Sequence, residues 1–390
     1  MRKLNSIKKV NGILYHSEPF ATNFHFENEP NEPSPYQSPM PFIGNVDLNS
    51  NYFRIPGVEK LNDGTIISFA QVQYAGTSDY THQDIGFSKS VDGGKTWGDK
   101  KIVCKALNEN SRVMNPTTIY DKTNNRLILM VTEVFNTDHV VWWRTGDTMW
   151  DTYVLVSDDG GETWTKNSIK NDLITTRQTN WTVSMPGLGT GVVMPNGMYV
   201  FPMETGFDDG STNKIQNTLA ISTDLVNWSL SNPTPELGDE ANIVLLNEDT
   251  IILNARNYGT MTPKMRKIFV TSNLGTTWEP HATHQTIPEN RATMGHTLKI
   301  KIDGVEHIVF SHMQSENTTR KKLGISVLNN SKTAWREVAV IDPEPFDGYS
   351  ILAWNENEPT KLNILYEKGG NILCLNISHL LTKIKITALT

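Results

Sequence analysis

The stretch Ser90–Trp97 reads "SVDGGKTW", and it returns at Ser157–Trp164 as "SDDGGETW". An Asp side chain accepts backbone N–H groups two or three residues on, and Gly adopts positive φ without penalty, so Asp-Gly-Gly is turn chemistry. The closing Trp is a large apolar body with one N–H to satisfy, which suits a half-buried corner. Each copy follows an alternating apolar segment, "DIGFSKS" in one case and "TYVLVS" in the other. Strand, tight turn, strand is a hairpin. Weaker copies follow. "TSNLGTTW" at Thr271–Trp278 has Asn273 in place of Asp, "STDLVNW" at Ser222–Trp228 is one residue shorter, and "LNNSKTAW" at Leu328–Trp335 keeps little but Thr and Trp.

The tryptophans Trp97, Trp164, Trp228, Trp278 and Trp335 are spaced by 67, 64, 50 and 57 residues. A hairpin recurring at such a period marks a repeat architecture, and a four-stranded blade with its loops needs about 40–65 residues. A chain of 390 residues then holds about six such units. The expected fold is all-β, a six-bladed β-propeller with four-stranded antiparallel blades. Unrelated hairpins in a β-sandwich are the competing reading. They leave unexplained why two copies match at Ser, Asp, both Gly, Thr and Trp.

The chain carries 35 basic and 42 acidic residues, a net charge of −7. That argues against nucleic acid or an anionic membrane surface as partner. An anionic small substrate needs local positive charge to overcome the global field. Cys104 and Cys374 sit in apolar strand-like stretches, "KIVCKAL" and "NILCLNI". They read as buried thiols, not a disulfide framework. No His/Cys cluster has metal-ligand spacing, so neither metal nor organic cofactor is expected. The basic start "MRKLNSIKKVNGILYHSEPF" lacks the apolar run of a secretory signal. A cytoplasmic location is expected, with secretion as the alternative if a leader was removed. No run approaches the length of a membrane span, so no membrane insertion is expected. Residues 1–50, with the Pro- and Asn-rich "FENEPNEPSPYQSPMPF", read as an extended lead-in joining the propeller. Residues 51–390 read as the propeller. "NISHLLTKIKI" near the C-terminus reads as a last strand that pairs with N-terminal sequence.

In "NYFRIPGVEK", Arg54 lies between Phe53 and Ile55. A cation on so apolar a strand points to solvent, to a carboxylate or into a site, and if buried it needs a partner. "FRIP", then "DGTIISFA", the Asp of "GTSDY" and the Ser-x-Asp-x-Gly-x-Thr-Trp turns resemble the bacterial and animal exo-sialidases. These are six-bladed propellers whose turn motif is called the Asp box. The resemblance runs from about Tyr52 to Glu367, most of the chain.

The family binds the sialic acid carboxylate with three arginines. The resemblance implies Arg54 for the first and Arg256 for the second, with Glu240 preceding it in "DEANIVLLNEDTIILNAR". Position gives Arg320 for the third, with Arg336 as the alternative. "FDGYSIL" resembles the segment of the Tyr nucleophile, which makes it Tyr349. Glu367 in "LNILYEKG" resembles the acid that holds the first arginine. Asp79 matches the acid/base, with Asp84 as a rival, as Asp239 is for Glu240. "RVMNPTTIYD" places Met114 and Asn115 on the pocket wall. One departure stands out. The family usually has another Arg shortly before the acid, and here "FAQVQY" offers Gln71 and Gln73. Gln73 is expected on the sugar side as a neutral amide.

The implied activity is retaining hydrolysis of terminal α-linked sialic acids, with a sialylated glycan as partner and no metal or cofactor. The chemistry suits these residue types. Two negative charges about 4 Å apart repel by about 4 kcal/mol at an effective dielectric of 20. A neutral phenol nucleophile avoids that repulsion against the substrate carboxylate, but needs a base to take its proton. The alternatives are a trans-sialidase, a hydrolase of a related nonulosonic acid, and a sialic-acid-binding propeller without turnover. Nothing in the sequence sets the oligomeric state.

Overall fold

The computed structural model describes residues 40–135, 146–208, 213–257, 265–288, 293–315 and 319–390, with the backbone of 8–10 and 13–15. The chain divides into Met1–Ser38 and Pro39–Thr390. In the first unit Lys8–Val10 pairs antiparallel with Ile13–Tyr15. Most of the expected lead-in, residues 16–39, lies outside the described residues.

The second unit is an all-β, propeller-like arrangement. Tyr52–Lys60, Ile66–Gln73, Gln83–Ser90 and Lys101–Cys104 hydrogen-bond in chain order, as do Arg112–Asp121, Arg126–Val134, Trp150–Ser157 and Thr165–Ser168. A parallel contact of Gln83 with Arg112 joins the two groups into one eight-stranded sheet. Trp181–Pro186, Tyr199–Asp208, Asn213–Ser222 and Ser229–Leu230 follow, with Val192–Val193 added on Tyr199–Asp208. Two four-stranded sheets come next, Gly238–Leu245 to Glu279–Pro280 and His296–Ile302 to Trp335–Pro345. Ser350–Trp354, Leu362–Lys368 and Asn371–Asn376 form the last. Most opening strands pack on the next, Gly238–Leu245 instead meets Val192–Val193, Tyr199–Asp208 and Asn213–Ser222 of the preceding group, and Ser350–Trp354 packs back on Tyr52–Lys60.

The repeated turns do what their composition requires. Asp92 Oδ1 accepts the N–H groups of Lys95 (3.0 Å) and Thr96 (2.9 Å), and Asp159 Oδ1 accepts those of Glu162 and Thr163, both at 3.0 Å. The worn copies keep the device. Asn273 takes the Thr277 N–H at 3.0 Å, Asp224 that of Asn227 at 2.8 Å, and Asn329 that of Thr333 at 2.9 Å. The second glycine serves close approach as well as positive φ. A Cβ on Gly161 (φ 87°) would sit 2.6 Å from the Phe87 ring of the preceding strand group. Trp164 then lies edge-on to Phe69 and Phe87, with centroids 6.0 and 6.4 Å apart. Trp164 thus ties its turn to the neighbouring group.

One expectation is corrected. The chain beyond Asn376 is no strand: Leu381–Thr387 is a short helix. Leu380, Ile384 and Ala388 recur every four residues, and all three are buried, which is a helical stripe. The N-terminal pairing falls one element earlier, where Phe42 bridges Ile372 of the Asn371–Asn376 strand. Cys104 and Cys374 are buried free thiols, and burial raises them to about 11 and about 12. Among the described residues no helix is long and apolar enough to cross a membrane.

Ile55 on Tyr52–Lys60, Leu188 just after Trp181–Pro186, and Met294 and Tyr349 just before His296–Ile302 and Ser350–Trp354 form a small apolar cluster. Past it, opening strands line a cavity of about 890 Å³ that includes Val58, Ile119, Leu245 and Leu352.

Candidate active site

The opening strands are irregular where the polar residues gather. The pairing register slips between Arg54 and Gly57, Met114 and Thr117, Trp181 and Val183, and Gly238 and Ala241. A bulge bends the strand and re-aims side chains that regular alternation would send to opposite faces. Two of these irregularities hold residues at positive φ, Ile55 at 53° and Asn115 at 58°. For a β-branched residue that conformation is strained, and it persists only where the surroundings enforce it. At Ile55 the enforcing group is Glu367, whose Oε1 accepts the Ile55 N–H at 2.6 Å.

The same Oε1 lies 3.5 Å from Arg54 Nε. Glu367 is fully buried, so the pair meets the rule that a buried charge is matched. Glu367, foremost, raises the Arg54 guanidinium above its ordinary range. Arg54 Nη1 reaches the other way, 3.4 Å from Asp79 Oδ1. Asp79 sits on the loop between Ile66–Gln73 and Gln83–Ser90, with 54% of its side chain exposed. Loss of hydration in the pocket mouth raises its carboxyl; Arg54 opposes the rise and Glu240 adds to it. The rival Asp84 is spent on structure, accepting the Tyr74 hydroxyl and the Ala106 N–H, each at 2.8 Å.

Asp239 and Glu240 are consecutive, and the bulge lets both reach Arg256. Arg256 Nη1 donates to Glu240 Oε2 at 2.7 Å, and Nε lies 3.3 Å from Asp239 Oδ2. Burial works against this charge, but Glu240, Tyr349 and Asp239 outweigh it and raise the guanidinium. Tyr349 donates its phenol proton to Glu240 Oε1 at 2.5 Å and accepts from Arg256 Nη1 at 3.2 Å. Burial, then the Glu240 charge, holds the phenol well above its usual range. It is therefore neutral at rest, with a carboxylate in place to take its proton.

Arg320 donates Nη1 to the Asp347 carbonyl at 2.5 Å, with its guanidinium 5.7 Å from the Tyr349 ring centroid. Arg54 lies 5.3 Å from the same centroid. Gly348, at φ 118°, admits this approach, since a Cβ there would come within 2.8 Å of Arg320 Cδ. Arg336 is exposed and donates to the Thr390 carbonyl instead. Arg54, Arg256 and Arg320 thus surround one phenol.

Met114 and Asn115 share a buried wall. The Asn115 N–H donates to Gln71 Oε1 at 3.2 Å, and its amide donates to the Pro186 carbonyl at 2.9 Å and to Glu204 Oε1 at 3.4 Å. Gln71 in turn bonds Gln83. Gln73 is fully buried, and neither atom of its amide has a partner among the described residues. Two charged residues escaped the sequence reading. Arg112 is fully buried, 5.0 Å from the Tyr80 ring, and burial lowers it to about 10. Glu204 is 4% exposed on the Tyr199–Asp208 strand. Both share the signal that marks Arg54, a charge inside an apolar stretch ("SRVMNP", "VFPMETGF"). Among the described residues no group of three or more His, Cys, Asp or Glu is placed to hold a metal ion.

Residues 69–364 match the family described as BNR repeat-like domain. The chain belongs to the sialidase (neuraminidase) family. It is similar to the sialidase of Paraclostridium sordellii, 28% identical over 388 residues, covering 93% of this chain and 90% of that protein. Among solved structures, the Hadza microbial sialidase Hz136 aligns over 85% of this chain and 67% of its own, with TM-score 0.75 and 22% identity. The intramolecular trans-sialidase from Ruminococcus gnavus aligns over 88% of this chain and 98% of its own, with TM-score 0.67 and 16% identity. These sialidase-family folds are thus shared at low identity, and the side-chain geometry above belongs to this chain.

Proposed function

We propose that this sialidase-family chain is an exo-α-sialidase that releases terminal α-linked sialic acid from glycans by a retaining mechanism. One observation carries the reading: three guanidiniums surround a buried phenol whose proton already points at a carboxylate, Tyr349 to Glu240 at 2.5 Å. A site for a carboxylate ligand alone needs the guanidiniums but not this couple. The scaffold reading that goes with it is six blades. The eight-stranded sheet counts as two, since a Gln83–Arg112 contact joins its halves, and the last group packs back on the first through Ser350–Trp354 and Tyr52–Lys60.

In the proposed reaction the substrate carboxylate takes charge-assisted hydrogen bonds from Arg54, Arg256 and Arg320, each contributing roughly 1.5–3 kcal/mol. Tyr349 Oη attacks the anomeric carbon while Glu240 takes the phenol proton. Asp79 gives its proton to the departing glycosidic oxygen as that bond breaks. The raised Asp79 carboxyl suits it to hold this proton. In the second half Asp79 removes a proton from water, water attacks the anomeric carbon, and Tyr349 leaves and recovers its proton from Glu240. An acceptor hydroxyl in place of water would give transfer by the same route.

A substrate fluorinated beside the anomeric carbon tests the reading, because fluorine destabilises the cationic transition state of the second step. Peptide mass mapping is expected to find the sugar on Tyr349. Labelling at another residue, or a parent protein that binds sialic acid and neither labels nor turns over, refutes it.

A further inference from the structure

Glu204 is an acid that the proposed reaction leaves idle, yet it is buried beside the acids that the reaction uses. It sits opposite Met185 on one neighbouring strand and Asn217 on the other, both uncharged. Its hydrogen-bond partner is the Asn115 amide at 3.4 Å. The charged groups facing it are Asp239 and Glu240 from Gly238–Leu245 and Arg256 from Ile251–Asn257. Arg256 is already engaged by both of those acids, at 3.3 and 2.7 Å. Among the described residues no cation pairs with Glu204 directly. Burial, then the charges of Asp239 and Glu240, raises its carboxyl well above the ordinary range, with Arg256 opposing.

The charges of the clamp explain why this matters. Arg54, Arg256 and Arg320 stand beside Glu367, Asp239, Glu240 and Asp79, so the three positive charges are already matched before any substrate arrives. An arriving carboxylate adds one negative charge, and an ionised Glu204 would add another. We propose that Glu204 serves binding as a neutral carboxylic acid, and that the clamp accepts an anionic sugar only while Glu204 keeps its proton. This rests on the clamp reading of the previous section and names the group that sets the alkaline limit of substrate binding. Glu204 is then a positioning residue. It holds Asn115 by accepting from its amide while contributing no charge.

The signature is a split between KM and kcat. A second like charge in the site, at an effective dielectric of 20, corresponds to on the order of tenfold in binding. In the parent protein, KM for an α-sialoside is expected to rise by about that factor as the assay moves from neutral to alkaline pH and Glu204 loses its proton. The kcat follows the proton on Asp79 instead. In Glu204→Gln, which keeps shape and an acceptor oxygen for Asn115 but cannot ionise, KM is expected to stay flat over that range. A parent KM that stays flat over the whole alkaline range in which the protein remains folded, or a Glu204→Gln protein that repeats the parent's rise, overturns the inference.

A measurement on the parent alone guards against a variant that does not fold. Calorimetric titration with a non-hydrolysable sialic acid analogue, in buffers of different ionisation heat and at the alkaline pH where the parent KM has risen, is expected to show net proton uptake on binding. Binding without uptake overturns the inference while leaving the sialidase reading standing. A parent that binds no sialic acid analogue at any pH refutes both.

Discussion

Replacing Tyr349 by Phe removes one oxygen from the centre of the site and almost no volume. The lost hydroxyl donates to Glu240 at 2.5 Å and accepts from Arg256 at 3.2 Å. A hydrogen bond to a charged group contributes roughly 1.5–3 kcal/mol. Arg256 Nη1 remains 2.7 Å from Glu240 Oε2, so the carboxylate keeps a partner and the loss falls at the lower end. At about 2–4 °C per kcal/mol, the melting temperature should drop by roughly 3–6 °C. Turnover should respond on another scale. Removing a nucleophile from a site of covalent catalysis costs on the order of a thousandfold or more, about 4 kcal/mol of barrier. Affinity for a sialic acid analogue should change by no more than about threefold, since all three guanidiniums remain. The assay pairs release of a chromogenic aglycone with calorimetric titration of the analogue. A Tyr349→Phe protein that keeps turnover within tenfold of the parent would sink the nucleophile assignment, as would a collapse of binding parallel to that of turnover.

Arg256→Ala should weaken analogue binding by about 10- to 150-fold, one charge-assisted bond, and should lower the melting temperature because Asp239 and Glu240 lose their shared cation; unchanged affinity by titration would remove Arg256 from the clamp. Asp79→Asn should hurt substrates in proportion to the basicity of their leaving group, a sialylated oligosaccharide far more than a nitrophenyl sialoside, and equal losses on the two would show that Asp79 gives no proton. Asp92→Ala should destabilise by about 1 kcal/mol, as the loss of a capping side chain does, with kinetics kept. The Asp92 carboxyl is held down to about 2, chiefly by the Thr96 hydroxyl. Its contribution is therefore complete above the ordinary Asp range and fades as pH falls towards 2; parent and variant melting curves should converge in acid.

The repeated turns were legible because their chemistry is local. Asp92, its glycines and Trp97 lie within eight residues, so the pattern survives without knowledge of what surrounds it. Arg54 was legible for a related reason, a charge among apolar neighbours on a strand. Glu204 and Arg112 carry that signal equally well. Which side of the strand such a residue faces depends on bulges, and bulges leave little trace in the one-dimensional pattern. The C-terminal segment failed for a different cause. Its apolar residues satisfy both alternation and a four-residue stripe over so short a span, and only the packing of Ile384 decides between them. Gln71, rather than Gln73, bonds the Asn115 backbone, a choice that rests on side-chain reach across two strand groups.

Along Tyr52–Lys60 the buried Ile55, packed with Leu188, Met294 and Tyr349, falls between Arg54 and the cavity-lining Val58, and on the proposed reading this cluster gives the site a floor. On the proposed chemistry, a sugar that reaches the nucleophile has arrived at a dead end. A glycan cannot be threaded through, so only a chain terminus can be read, one unit per visit. Freed sugar must leave by the doorway its successor is waiting to use. Traffic is single-file and two-way, and accumulating product will slow the reaction by occupying the doorway as well as the clamp.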